Sequence, residues 1–355
     1  MEFLYQALAI MGMFSLIVVS HELGHFVAAR VVGVKVKKFS LGFGPALYKK
    51  KVGETDFVIS LIQLGGYVEL LGEDPAEDIY EEDAPRSFRH QPVREKALIV
   101  LAGAFFNIVL AIVLLTAVYW SGLSVLAPEI GTVSKGSPAD KAGVLPGDRI
   151  VEINKMNVRI YEDAIRVIQE NPGVYLPIKL KRADKVILTH VIPDNRIGYD
   201  ALKRPSDTGY LGVSPKGTRT LYSENIVGAL KKAVNKAWEM TALVFAAFLM
   251  LLKGQLPLTD LGGPIMIVKT ASQQIDIGLQ NFIFMIAFLS VNIGVFNLIP
   301  FPALDGGFMI FLLLEFLMGK PLRPKTMLII QRLGVSSLIV LVAFVVYNDL
   351  MKMIR

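Results

Sequence analysis

The chain has 355 residues, of which 53% are hydrophobic and only 19% charged, and its mean hydropathy is +0.51. This excludes an ordinary soluble globular protein and points to an integral membrane protein with a water-exposed module. The net charge of +6 does not indicate nucleic acid, because Lys and Arg crowd the loops beside apolar runs, as the positive-inside bias produces. There is no cysteine, so disulfides and thiolate metal sites are excluded, and any metal falls to His, Asp, Glu or Asn.

In chain order, an almost wholly apolar run from Phe3 to Val19 leads into Ser20-His21-Glu22-Leu23-Gly24-His25, and the helical pattern is expected over Phe3–Arg30. With no basic start and no small-residue cleavage site, this run is expected to be retained as a span. His21 and His25 are four residues apart, so both imidazoles leave one helix face about 6 Å apart along the axis. That spacing lets two ring nitrogens reach one Zn²⁺ at about 2.0–2.1 Å, and Glu22 beside them can take a proton from an activated water. Polar groups at the end of a bilayer-length run are costly unless used, which favours a metal site over a chance pattern.

The loop that follows is basic (Arg30, Lys35, Lys37, Lys38, Lys49–Lys51, Arg86, Arg89, Arg94, Lys96), which places residues 31–95 in the cytoplasm and the N-terminus outside. His21 and His25 then lie toward the cytoplasmic end of the first helix. Thr55–Ile62 and Leu64–Leu70 read as two short strands bent at Gly65-Gly66, either a cytoplasmic hairpin or one dipping beside the site. An open edge there could accept an unwound peptide as an added strand. Glu73–Asp83 reads as a mobile acidic surface loop, and His90 as a surface histidine. A second span is expected over Ala97–Trp120, where Gly103 and Asn107 share a face. They serve either helix packing or, for Asn107, contact with substrate.

From Leu126 the texture becomes that of a soluble domain. Gly136-Ser137-Pro138-Ala139 and Pro146-Gly147-Asp148-Arg149-Ile150 with Ile153-Asn154, a helix over Tyr161–Glu170 and a strand over Leu176–Lys181 together resemble a PDZ domain. Gly209-Tyr210-Leu211-Gly212-Val213 has the character of its carboxylate-binding loop, and His190 is expected to be structural. The apolar run ending at Leu252 carries Lys231, Lys232 and Lys236, so 223–252 is expected to be an interfacial or partly inserted amphipathic helix. A crossing there would move the later Asp-Gly-Gly motif to the membrane face opposite His21.

A third span over Phe282–Leu298 breaks at Asn297-Leu298-Ile299-Pro300-Phe301-Pro302-Ala303-Leu304-Asp305-Gly306-Gly307. Entering from outside, it delivers Asp305 to the depth of His21 and His25. The carboxylate then serves as a third metal ligand, as an N-cap for the Phe308–Leu317 segment, or as both. A fourth span over Leu333–Tyr347 follows a basic loop.

His21-Glu22-Leu23-Gly24-His25 together with Asn297-x-x-Pro300-x-Pro302-x-Leu304-Asp305-Gly306 resembles the site-2 protease family. Leu41-Gly42-Phe43-Gly44-Pro45, Gly65-Gly66-Tyr67-Val68 and the single PDZ-like module are most similar to bacterial regulator-of-sigma-E proteases. Two departures stand out: one PDZ module where enterobacterial members carry two, and Ala104 where proline is common. The resemblance implies a polytopic α-helical membrane protein with four transmembrane helices, a membrane-associated β-hairpin and one inserted α+β PDZ domain. The corresponding divisions are 1–125, 126–215, 216–280 and 281–355. It further implies an intramembrane zinc metalloendopeptidase of the bacterial cytoplasmic (inner) membrane, with one Zn²⁺ held by His21, His25 and Asp305 and Glu22 as the base. The site would lie toward the cytoplasm and the PDZ domain outside.

By the same resemblance, Asn107, Asn297, Pro300, Pro302, Gly65, Gly66 and Tyr67 contact the substrate, and Tyr210, Leu211, Gly212 and Val213 line the PDZ peptide site. The implied partners are the lipid bilayer and a single-pass membrane protein, either a trimmed anti-sigma factor or a signal-peptide remnant, cut after an upstream site-1 type protease. No nucleic acid is expected. The competing reading is a membrane-bound PDZ adaptor with a non-catalytic metal site, which would have no use for Glu22. A transporter would require inverted repeats, which are not visible.

Overall fold

A computed structural model describes residues 2–74, 77–199, 204–257 and 262–354. Helix α1 (Glu2–Val32) is 31 residues long. It ends where Gly33 takes φ +91° and the Val34 N–H returns to the Ala29 carbonyl at 2.8 Å, a left-handed helix stop that glycine adopts without strain. Strands β1 (Val36–Val52) and β2 (Thr55–Leu70) and helix α2 (Val93–Ser121) follow. Next come β3 (Leu123–Leu126), β4 (Ile130–Val133), α3 (Pro138–Lys141), β5 (Arg149–Ile153), β6 (Met156–Asn157) and α4 (Tyr161–Gln169). Strands β7 (Leu176–Arg182), β8 (Lys185–Val191), β9 (Asp194–Tyr199), β10 (Pro205–Tyr210), β11 (Val213–Pro215) and β12 (Arg219–Tyr222) complete the middle. The chain closes with α5 (Ile226–Leu252), α6 (Pro264–Ile277), α7 (Leu279–Asn297), α8 (Asp305–Met318) and α9 (Pro324–Ile354).

These elements form two units, one of 1–116 with 230–355 and one of 117–229. In the second, β6-β5-β7-β8 form a four-stranded sheet whose inward Ile150, Ile153, Ile178 and Leu180 pack with Ile168 of α4. The helix and strand expected at Tyr161–Glu170 and Leu176–Lys181 are α4 and β7. His190 lies on β8, its ring stacked on Tyr175 at 4.8 Å, and four further strands follow it.

In the first unit, the two strands expected at 55–62 and 64–70 are one strand, β2, and they do not pair with each other. Their partner is β1, a segment that reads in sequence as a lysine-rich loop. Lys38, Phe39, Ser40 and Leu41 are flanked on one side by Asp56–Ile59 and on the other by Gly66–Glu69. Each ribbon is therefore folded over, at Gly42 and Gly44 in β1 and at Gly65 in β2, all with positive φ. The lysines find carboxylates once paired: Lys37 with Glu69 and Glu77, both at 2.7 Å, and Lys49 with Asp56 at 2.9 Å. The acidic stretch expected to be mobile is likewise tied down, by Lys35–Asp83 at 3.1 Å and by the Gly72 N–H to Glu77 at 2.8 Å. Its residues 75–76 lie outside the described set. His90 is exposed, as expected, with Nδ1 2.7 Å from Ser87 Oγ.

Among the described residues, five helices rather than four are long and apolar enough to cross a membrane, the additional one being α5. The parity expectation that makes 223–252 interfacial counts full-length spans alone. The 14-residue α6 and α7 pack against each other about a reversal at Gly278 (φ +143°), so the chain turns once more before reaching Asp305. Five crossings by length and composition are thus compatible with Asp305 on the side of His21. The last of these helices is also longer than the expected Leu333–Tyr347, running from Pro324 to Ile354.

Candidate metal centre and active site

His21 and His25 leave α1 one turn apart, and both face α2. Close approach of the two helices depends on glycine at each contact. A Cβ on Gly24 would lie 2.2 Å from the Ala102 carbonyl oxygen, and one on Gly103 would lie 2.4 Å from His25 Nε2. The imidazoles therefore rest on bare α2 backbone. The Nδ1–H of His25 donates to the Ile99 carbonyl at 2.9 Å, which assigns the tautomer and leaves the Nε2 lone pair facing the site.

Asp305 arrives from the other end of the chain as the first residue of α8. The N-cap is Leu304, and no side chain caps that helix, so the carboxylate is not spent as an N-cap. The loop after α7 curls over the helix start so closely that a Cβ on Gly306 would lie 2.2 Å from the Ile299 carbonyl oxygen. Farther along α8, Glu315 pairs with the buried Lys96 of α2 at 2.8 Å, holding α8 to the helix that backs the histidines.

The result is a triangle of donors. His21 Nε2 and His25 Nε2 are 3.2 Å apart, and Asp305 Oδ2 lies 3.1 and 3.5 Å from them. Ligands of a tetrahedral ion at about 2.0–2.1 Å stand about 3.3–3.4 Å from one another, so the triangle has the size of one face of a zinc site. Buried Oδ2 of Asp305 has no hydrogen-bond partner, as expected of an atom reserved for a cation. The side chains are 12%, 14% and 25% exposed, which leaves an approach from one side.

That approach is a cavity of about 210 Å³ lined by His21, Glu22, His25 and Asp305, with Tyr67, Val68 and Leu70 of β2 across from them. The Glu22 carboxylate accepts the backbone N–H of Val68, and a Cβ on Gly66 would lie 3.1 Å from Glu22 Cγ. Gly66–Leu70 is paired to β1 on one side only; on the other, the Val68 N–H goes to Glu22 and the Leu70 N–H to Glu73 Oε2 at 3.2 Å. Tyr67 is held by stacking on Phe43 and by the Lys38 ammonium at 3.1 Å from its hydroxyl.

The other expected residues are more scattered. Asn107 is wholly buried between α2 and α7, where a Cβ on Gly294 would lie 3.2 Å from its own, and both of its amide atoms lack partners. It does not line the cavity, nor do Asn297, Pro300 and Pro302, which occupy the end of α7 and the loop before Asp305. Gly65 packs its backbone against the Phe43 ring. In the middle unit, Tyr210 ends β10 with Arg196 3.3 Å above its ring, Leu211 is buried in the core, and Val213 opens β11 opposite Val133. Gly212 turns the chain at φ +82°, its carbonyl accepting the Ser134 N–H at 2.8 Å. The Ile99 carbonyl and the Lys96–Glu315 pair are contributions that sequence reasoning missed. A main-chain acceptor has no residue signature, and a lysine opening a span reads as a topology signal.

Residues 9–341 match the profile of peptidase family M50. Similar chains named as candidate zinc metalloproteases occur in Campylobacter jejuni (32% identity, 99% of this chain and 94% of the relative) and Rickettsia conorii (34%, 96% and 96%). Another occurs in Clostridium acetobutylicum (31%, 98% and 98%). Among solved structures, the PDZ domain of an SdrC-like protein from Listeria monocytogenes matches 26% of this chain and 90% of its own, at 19% identity and a TM-score of 0.21. With a match across nearly its whole length, the chain belongs to peptidase family M50 and is a metalloprotease.

Proposed function

We propose that this metalloprotease cuts single-pass membrane proteins within or near their transmembrane segment, with His21, His25 and Asp305 holding one Zn²⁺ and Glu22 acting as general base. The observation that carries this reading is the triangle of 3.1–3.5 Å edges that the three donors form beside Glu22. Bound Zn²⁺ would polarise the scissile carbonyl and lower the pKa of water toward about 7. Glu22 accepts the proton of the attacking water as its oxygen bonds to the carbonyl carbon. It then returns that proton to the leaving amine as the C–N bond breaks. A helical substrate cannot present its carbonyl, because its backbone is already paired, so the segment must unwind. The edge of Gly66–Leu70 away from β1 accepts the extended form as an added strand beside Glu22, the incoming carbonyl taking over the Val68 N–H that Glu22 holds in its absence. Asn297, Pro300 and Pro302, at the end of α7 and in the loop before Asp305, are assigned to holding the substrate backbone, and Asn107, buried between α2 and α7, joins them only where those helices part.

In this reading the site lies on the cytoplasmic side of a bacterial inner membrane and the middle unit acts outside as a PDZ module; the basic loop after α1 supports that orientation. The substrate class is a membrane-anchored chain already trimmed by a site-1 type protease, an anti-sigma factor or a signal-peptide remnant. The test is cleavage of a model transmembrane substrate in detergent by wild type, Glu22→Gln and Asp305→Ala. Glu22→Gln is expected to keep its zinc and lose cleavage; equal activity would remove Glu22 as base. Asp305→Ala is expected to lose zinc, and unchanged stoichiometry would remove it from the ligand set.

A further inference from the structure

Helix α6 carries no capping side chain of its own, and its N-cap is Gly263. The cap comes instead from α9. Asp349, fully buried, accepts the Gly263 N–H on Oδ1 at 3.0 Å and the Ile265 and Met266 N–H groups on Oδ2, both at 3.1 Å. Pro264 has no N–H to satisfy, so a single carboxylate meets the donors of the whole first turn. Only glycine allows this approach, since a Cβ on Gly263 would lie 2.6 Å from Asp349 Oδ2 and 2.5 Å from Val345 Cγ1. A fully buried ionisable group is costly unless it is hydrogen-bonded, and here three backbone donors meet it.

Both helices lead from this contact back to the metal centre. On α6, Ile267, Ala271 and Ile275 pack with Met13 and Ile17 of α1, one turn before His21. The far end of α6 is tied to α1 through Gln6, which bonds Ser272 and Asp276, each at 2.8 Å. α9 is thinly held: among its described residues only Gly334, Val345 and Asp349 are buried. Gly334 is the second anchor, since a Cβ there would lie 2.8 Å from Pro302 Cβ and 3.0 Å from the Ala303 nitrogen, in the loop that delivers Asp305.

We infer that Asp349 is a positioning residue for the metal centre: by fixing α9 on α6 it holds Gly334 against Pro302–Ala303 and so sets Asp305 against His21 and His25. The catalytic consequence rests on the reading proposed above, but the positioning itself is read by zinc affinity. In the purified full-length protein, Asp349→Ala is expected to weaken zinc binding, measured by chelator competition, about 10- to 100-fold, as loss of a supporting contact does. The value of kcat on the reporter substrate should fall with it while KM stays near wild type. Asp349→Asn keeps one acceptor but turns an NH₂ toward backbone donors, so its loss should be intermediate.

Because the chain has no cysteine, a Gly263→Cys, Val345→Cys pair in the Asp349→Ala background offers a clean rescue. Once oxidised, the crosslink should restore zinc affinity, and reduction should remove the gain. Wild-type affinity in Asp349→Ala would overturn the inference, as would a fully crosslinked protein that binds zinc no better than its reduced form. If Asp349→Ala weakens zinc while even wild type leaves the reporter uncut, the positioning stands and the proteolysis reading fails.

Discussion

Gly103 has no room for a side chain beside His25: a Cβ there would lie 2.4 Å from His25 Nε2 and 2.8 Å from His21 Cε1. The clash falls on the distal ring atoms of both imidazoles, the His25 nitrogen of the donor triangle among them. Alanine at this position should therefore move the imidazoles out of their triangle, even though it favours the helix by about 1 kcal/mol. Gly103→Ala is predicted to melt no lower than wild type while binding zinc about 10- to 100-fold more weakly. Chelator competition and thermal melting on one preparation separate the two effects. Wild-type zinc affinity would mean that the imidazoles tolerate the methyl group.

Gly66 is the corresponding point on the strand side. A Cβ there would meet the Ser40 carbonyl oxygen at 2.8 Å, Val18 Cγ1 at 3.0 Å and Glu22 Cγ at 3.1 Å. Gly66→Val suits a strand by propensity but forces β2 away from α1. Zinc, held by other elements, should remain at full stoichiometry. The kcat/KM for a transmembrane reporter should fall about tenfold or more, since small displacements of a substrate-orienting edge are costly. Loss of zinc in this variant would instead tie the strand to the metal centre.

The donor cluster was legible in the sequence because two of its members depend on spacing along one helix. His21, Glu22 and His25 share a helix face at four-residue spacing, and Asp305 joins their cluster from almost three hundred residues away, although the four-crossing count that brought it to their level left out α5. The scaffold was less legible. β1 was hidden because Lys37, Lys38 and Lys49–Lys51 resemble a solvated loop until Glu69, Glu77 and Asp56 are brought beside them. α6 was hidden because fourteen residues between glycines are too short to register as a span, and its cap lies on a helix more than eighty residues away. The Ile99 carbonyl that sets the His25 tautomer is main chain and leaves no mark in composition.

Asn107 offers a test that separates packing from contact. Its amide is fully buried with neither atom bonded, an arrangement that costs about 1–3 kcal/mol. Asn107→Ala removes that cost while opening a small void, so net stability should change by less than about 1 kcal/mol. If the amide engages the substrate backbone, kcat/KM should drop about 10- to 100-fold with melting unchanged. Parallel losses of stability and activity would make Asn107 a packing residue and withdraw it from the substrate site.

The middle unit should have an acid limit of its own, set by Asp148. This carboxylate is fully buried and accepts Arg182 Nε at 2.7 Å, Arg182 Nη2 at 2.8 Å and the Leu145 N–H at 2.8 Å. Burial pushes the carboxyl up, but the guanidinium and the backbone donor outweigh it and hold the group below the usual carboxylate range. A depressed folded-state pKa means that stability is fully present above the unfolded value of about 3.9 and is lost as pH falls through the folded one. Hydrogen exchange at Leu176–Leu180 in the full chain should therefore accelerate below about pH 4 in wild type. Asp148→Asn should be destabilised at neutral pH, by less than the about 3–5 kcal/mol of a fully buried broken pair because Arg182 is 36% exposed. It should also lack the acid-dependent step. The same step in both proteins would assign the acid sensitivity to other carboxylates.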